Sequence, residues 1–192
     1  DTFNGGWGFT SSKDQGRYWL SWPNCENQYD GFTYWSRISG RGKVILDGDF
    51  TIMHSYKTPA EKEFAISIQL MAGGPIAVTD QYCTIGDGDV AYYTNEEMLA
   101  LNKDRFVGKP LDATLMSPGS NIWYGQMTNG DYIIGLFNRE DEPKKFDVSF
   151  AELGIAGEMK VRDLWKHVDE GVASAINAEV EPHGCKIVRL SK

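Results

Sequence analysis

The sequence predicts an α/β region followed by an all-β region, and three observations carry that division. Residues 43–80 read as two consecutive strand-plus-helix units, Lys43-Val-Ile-Leu-Asp-Gly-Asp49-Phe50 and Gly74-Pro-Ile-Ala-Val-Thr79-Asp80, joined by a well-capped helix. Each strand ends in carboxylates, which is how a parallel β/α barrel presents chemistry at one shared mouth. Beyond residue 108 no helical period continues, and short alternating runs are separated by turn residues instead. Within those runs Asn129-Gly130 is a strong hairpin signal. The expected division is therefore 1–108 for the α/β part and 109–192 for the all-β part. Only about three β/α units fit into the first part, so the ring they belong to is incomplete within this chain.

Composition is that of a globular chain. Of 192 residues 41% are hydrophobic and 24% charged, which is enough to bury a sizeable core. The net charge of -8, with no run of Lys and Arg, argues against a nucleic-acid partner. Cys25, Cys83 and Cys185 are odd in number and far apart, a pattern that fits neither a disulfide framework nor a Cys-x-x-Cys metal site. They are expected to be buried free thiols. No Asn-x-Ser/Thr acceptor, membrane-length apolar run or signal peptide is present.

Taken in order, residues 1–22 are rich in Gly, Ser and aromatic rings, including Trp7, Trp19 and Trp22, and read as an ordered loop. A helix over 24–39 would carry Phe32, Trp35 and Ile38 on one side, weakened by Gly31. Lys43 to Leu46 reads as a short buried strand of the parallel kind, followed by Asp47-Gly48-Asp49. Thr58, Pro59 and Glu61 form a helix start with a capping box, and Phe64, Ile68 and Met71 then recur at helical spacing. Gly73-Gly74-Pro75 ends that helix and leads into a strand over Ile76 to Thr79.

A second capping box, Thr94 to Glu97, opens a helix through Leu101. Ile122 to Met127 and Tyr132 to Asn138 flank the Asn129-Gly130 turn, expected to be type I′. Lys145 to Phe150, Met159 to Trp165 and Cys185 to Leu190 complete a set of short strands that implies an antiparallel sandwich.

Several of these segments resemble one family of enzymes. Asp47-Gly48-Asp49-Phe50 and Leu70-Met71-Ala72-Gly73-Gly74-Pro75-Ile76 resemble the Asp-Pro-Asp-Met strand end and the following Met-Ala-(Ala/Gly)-Pro-Leu segment of the α-galactosidase and α-N-acetylgalactosaminidase family of retaining glycoside hydrolases. Asn95-Glu-Glu-Met-Leu-Ala-Leu-Asn102-Lys-Asp is similar to that family's Asn-x-Glu-x-Ile-Ala-Ile-Asn-Gln-Asp helix. Asp131 to Arg139, Val161 to His167 and Pro182-His-Gly184 are similar to its C-terminal sandwich. The resemblance runs from about Lys43 to the end.

What the resemblance implies is the last β/α units of a (β/α)8 TIM barrel followed by a C-terminal antiparallel β-sandwich. Members hydrolyse terminal α-linked galactose-like sugars with retention, using two aspartates and no cofactor. Retention needs two carboxyl groups about 5 Å apart, one ionised to attack and one protonated to donate. The nucleophile belongs to a strand outside this chain, so the chain alone is expected to be inactive. An N-terminal barrel half, on a separate chain or a missing segment, is the expected partner besides a carbohydrate substrate.

By the same resemblance Asp1, with Trp7 six positions on, takes the place of the general acid/base. Asp30, with Trp35 five positions on, is the rival. Asp49 matches a sugar-binding carboxylate, and Phe50 replaces the family's usual methionine beside it. These departures at Gly48 and Phe50 leave the sugar open among α-galactoside, α-N-acetylgalactosaminide, β-L-arabinopyranoside and isomaltodextran substrates. A periplasmic or extracellular location is the family-level expectation.

Other residues have plainer readings beside their functional ones. Asp-Gly-Asp is a turn sequence in its own right. Asp80, Asp87 and Asp89 lie in an acidic stretch that lacks EF-hand spacing and reads as a solvated loop. His54, His167 and His183 are isolated from one another, so structural roles outweigh metal ligation. A non-catalytic carbohydrate-binding module is the competing class, with exposed aromatics such as Trp123 or Tyr124 meeting the sugar.

Overall fold

A computed structural model describes residues 22–83 and 85–192 of the chain. The α/β part contains α1 (Trp22–Trp35), β1 (Phe50–Thr51), α2 (Pro59–Met71), β2 (Ala77–Val78), α3 (Asp87–Tyr93) and α4 (Glu96–Lys103). The all-β part follows with β3 (Lys109–Pro110), β4 (Ile122–Gln126), β5 (Tyr132–Phe137), β6 (Lys144–Ser149), β7 (Met159–Asp163), β8 (Val168–Ala173), β9 (Ala175–Val180) and β10 (Cys185–Ser191).

The β-sandwich is formed by a six-stranded antiparallel sheet, ordered β3-β4-β5-β10-β7-β8, and the antiparallel pair β6-β9. Period-two alternation decides which side chains enter which layer. Ile134 and Leu136 of β5 and Val188 and Leu190 of β10 meet Phe146, Val148, Ile176 and Val180 of the smaller sheet. Their odd-numbered neighbours Ile133, Phe137 and Ile187 point the other way, into a second core shared with α1, α2 and α4. The large sheet is thus covered on both faces, and that second core runs without interruption from the helices into the sheet.

Local chemistry explains the helices. Along α1 the buried positions Trp22, Cys25, Tyr29 and Phe32 recur at helical spacing. The helix stops at Trp35, short of the expected 39, and Trp35 and Ile38 stay half exposed instead of packing with Phe32. In α2 the Thr58 hydroxyl accepts from Glu61 N at 3.1 Å, while the Glu61 carboxylate reaches back to Lys57 N at 2.6 Å. The far end is a Schellman motif: Gly73 adopts φ 79° and donates to Leu70 O, and Gly74 donates to Gln69 O.

The second predicted capping box is displaced by one residue. Asn95 caps α4 by accepting from the N–H groups of Glu97 and Met98, whereas Thr94 closes the preceding helix. That preceding helix, α3, occupies part of the acidic stretch expected to be a loop. Asp87 and Asp89 sit in its first turn, where carboxylates favour the positive end of the helix dipole.

Three strand expectations also change. Lys43 to Leu46 is not a ladder strand; Val44 makes one isolated parallel bridge to Ser39, and Val44 and Ile45 are exposed. A barrel strand is held by a neighbour on each side, and this segment has none among the described residues. The Asn129-Gly130 turn is a three-residue loop: only Gly130 has positive φ, and Met127 N donates to Asp131 O. This is a type I turn with a glycine bulge, in place of the expected type I′. Finally β8 and β9, absent from the sequence reading, complete the two sheets.

Candidate functional site

The two parallel strands β1 and β2 pair Phe50 with Ala77 and Thr51 with Val78, and their C-terminal ends are bound together by Asp80. The Asp80 carboxylate is out of solvent contact. It accepts from Met53 N at 2.8 Å, from Tyr93 Oη at 2.6 Å and from His54 Nδ1 at 2.9 Å. Burial raises its pKa, but these donors, Met53 N foremost, more than offset that and hold the carboxyl below its ordinary value. Tyr93 Oη also reaches Thr51 O at 3.1 Å. Burial, then the bond to Asp80, pushes the Tyr93 phenol well up, so it stays a donor.

Asp49 lies just before β1 rather than after it, at φ 61° in the left-handed region that Asp tolerates better than most residues. Its N–H donates to the Asp47 carboxylate at 2.9 Å, an Asx turn of the kind the Asp-Gly-Asp sequence favours. Gly48 at the apex is a close approach. A Cβ there would stand 2.8 Å from the Phe32 ring and 3.1 Å from the Gln69 side chain. Beneath the turn, Gln69 Nε2 donates to Thr51 Oγ1 at 2.9 Å. Burial raises the Asp49 pKa, with Phe50 N–H opposing and Asp47 reinforcing the rise. The Asp49 side chain is only half buried, and the Phe50 ring beside it is exposed.

The structure therefore gathers Asp80, Tyr93 and His54 at the C-terminal ends of the parallel pair, and leaves Asp49 and Phe50 at the opposite end, where β1 begins. Asp1 lies outside the described residues, as do Trp7 and Trp19. Asp30 is on α1 and pairs with Arg139 of the sandwich at 2.8 Å. Trp123 is not a sugar platform: it is fully buried, and its indole Nε1 donates to Tyr29 Oη at 3.0 Å. His183 stacks on Trp22 at 4.2 Å and bridges Glu61 and Asp141, a structural role. Of the cysteines, Cys25 is buried, Cys185 partly so and Cys83 exposed; all are free.

Sequence reasoning marked Asp80 as a strand-end carboxylate and part of an acidic stretch but gave it no role at the site, and it missed Tyr93. Tyr93 carried no signal, because its role depends on α3 bringing it back to Thr51 and Asp80. Among the described residues no group of three or more His, Cys, Asp or Glu is arranged to hold a metal ion.

The fold is one shared with the C-terminal part of known glycoside hydrolases. Residues 117–190 match the family described as the alpha galactosidase C-terminal beta sandwich domain. The chain is related to that α-galactosidase family through the C-terminal part of its members. A particular relative, isomalto-dextranase of Arthrobacter globiformis, is 40% identical over 200 aligned positions, which cover 100% of this chain and 31% of that protein.

The solved structure of Arthrobacter globiformis T6 isomalto-dextranase complexed with panose superposes with a TM-score of 0.75 at 37% identity, covering 85% of this chain and 29% of that one. A β-L-arabinopyranosidase from Geobacillus stearothermophilus, in complex with arabinose, gives 0.77 at 20% identity over 89% of this chain and 42% of its own. The second likeness shows the fold alone. The chain spans about a third of the length of isomalto-dextranase.

Proposed function

We propose that this chain is the C-terminal portion of a retaining, exo-acting glycoside hydrolase whose nucleophile is an aspartate in a preceding barrel half. The observation that carries the reading is the parallel pair, with Asp49 at the start of β1 and Asp80 beyond the end of β2. Among the described residues its outer edges are unpaired, and Phe50 and Val78 on the pair and Val44 and Ile45 just before it are exposed apolar side chains. Unpaired parallel edges of this kind call for further strands. On this reading residues up to 108 are the last barrel units and residues from 109 the appended sandwich.

Asp49 accepts hydroxyls of the terminal sugar, and the half-buried carboxylate gives specificity because an analogue lacking those hydroxyls leaves it unpaired. Asp80 is a positioning residue that fixes the loop after β1 through Met53, His54 and Tyr93. Asp1 is the proposed acid/base. For the substrate, 40% identity to isomalto-dextranase favours an α-linked glucan over a galactoside. A periplasmic or extracellular location accords with a polymeric substrate, and cell fractionation tests it.

The deciding experiment assays the full-length protein on aryl α-glucosides, aryl α-galactosides and dextran. Release of small isomalto-oligosaccharides with retained anomeric configuration is expected. Absence of hydrolysis on the whole panel overturns the reading.

A further inference from the structure

An open cleft of about 590 Å³ lies between α3, α4 and the turn that follows β7. Its volume falls within the roughly 300–1,000 Å³ of small-ligand sites. Tyr92 and Trp165 form part of its wall, with ring centroids 6.0 Å apart and planes inclined at 51°. Both rings are half buried against the core, so neither is a loose surface side chain.

The wall is held in place from behind. Trp165 Nε1 donates to Ser67 Oγ at 2.8 Å, and the Trp165 and Lys166 N–H groups both donate to the Asp163 carboxylate. Opposite, Glu97 receives Arg162 through two bonds of 2.7 Å and His167 Nδ1 at 2.7 Å. The bidentate guanidinium, more than the histidine, keeps Glu97 down at about 2, so it stays ionised and occupied.

Glu63 differs from Glu97. It also lines the cleft, yet it has no hydrogen bond or ion pair among the described residues. Burial, followed by the nearby Asp163, pushes its carboxyl up to about 7. A carboxylic acid near neutrality offers one donor and spare acceptor capacity at once. The complement is a hydroxyl, which also gives and receives. Glu63, Glu96 and Glu97 disfavour an anionic ligand, while two inclined rings favour an apolar C–H face.

We propose that this cleft is a saccharide-binding site for a neutral pyranose unit of a glycan chain, packed against Tyr92 and Trp165 and hydrogen-bonded to Glu63. The choice of a glycan as ligand rests on the glycosidase reading above. The cleft joins helices of the α/β part to a turn of the sandwich, so binding there spans both parts.

The test is affinity electrophoresis of the full-length protein through gels containing soluble dextran. The unsubstituted protein is expected to be retarded. Tyr92→Ala and Glu63→Ala should each weaken the apparent dextran affinity about tenfold, equivalent to roughly 1.4 kcal/mol. Glu63→Gln, which still donates and accepts, should retain most of it. If Tyr92→Ala fails to fold, the Glu63 pair decides alone. Equal retardation of the unsubstituted protein and folded Glu63→Ala, or no retardation of either, overturns the proposal. Aryl glycoside hydrolysis by the unsubstituted protein reports on the glycosidase reading separately, so the two can fail independently.

Discussion

The large antiparallel sheet and the parallel pair β1-β2 are built from similar apolar residues, yet they are in opposite states of completion. Strands β5 and β10 run for six and seven residues, are paired on both edges and are covered on both faces. Strands β1 and β2 run for two residues each, pair among the described residues only with each other, and leave Phe50 and Val78 exposed. The lesson is that strand length follows the number of neighbours more than intrinsic propensity. Val44 and Ile45 are strong strand formers that do not form a ladder strand without a partner.

The comparison breaks most sharply in the shared core. Phe64 of α2 meets Trp22, Tyr29 and Phe137 at centroid distances of 4.8, 5.4 and 5.0 Å. Phe64→Ala should cost about 3–5 kcal/mol, read as a lowered midpoint of unfolding of the full-length protein. A variant within about 1 kcal/mol of the parent would show that helices and sheet are energetically separate.

Two exposed valines offer a finer discrimination. Val78 on β2 and Val172 on β8 are 54% and 60% exposed in this chain. In the full-length protein Val78→Asp should destabilise by about 2–3 kcal/mol if, as proposed, a preceding barrel half buries that edge. Val172→Asp, on a true sheet edge, should change stability by less than about 0.5 kcal/mol. Equal effects would mean that nothing completes the parallel pair.

At the start of β1, Asp49→Asn should lower kcat/KM roughly 10–100-fold by weakening the proposed charge-assisted bonds to the sugar, each worth about 1.5–3 kcal/mol. Steady-state kinetics on an aryl glycoside checks this, and unchanged constants would detach Asp49 from substrate. Smaller still is the cap of α2. Thr58→Ala should cost about 1 kcal/mol in thermal stability, since Glu61 N loses its acceptor.

The smallest effects are opposite pH dependences from two glutamates of one cleft. Glu97 is depressed from 4.5 to about 2, chiefly by Arg162. Its contribution is present above pH 4.5 and lost as pH falls through about 2. Glu63 is raised from 4.5 to about 7, chiefly by burial. The folded state then binds the extra proton, so stability declines as pH rises from 4.5 through about 7. Melting curves of Arg162→Lys and Glu63→Gln should flatten the acid and the near-neutral slopes respectively. Unaltered slopes would count against both assignments.

Where the sequence was legible, the signal was local. Thr58, Pro59, Glu61 and the Gly73-Gly74 stop sit within a few residues of the backbone groups they satisfy. The hairpin was legible in place but not in type, because Asn129 and Gly130 are compatible with more than one turn. Strand β8, Val-Asp-Glu-Gly-Val-Ala, escaped because an exposed edge strand carries no apolar alternation. Helix α3 escaped because Asp87-Gly88-Asp89 reads as loop until the dipole at a helix start is considered. Trp123 was misjudged since nothing in its neighbourhood announces Tyr29, 94 positions away.

The continuous packing of Trp123, Ile133, Phe137 and Ile187 onto α1, α2 and α4 bears on how such enzymes can be rebuilt. A chimera cut at residue 108 would strip one whole side of the large sheet and ask a foreign surface to fit it at native density. Exchange of specificity between relatives should therefore proceed by transplanting the loops at the strand ends, with the helices and sandwich inherited as one block.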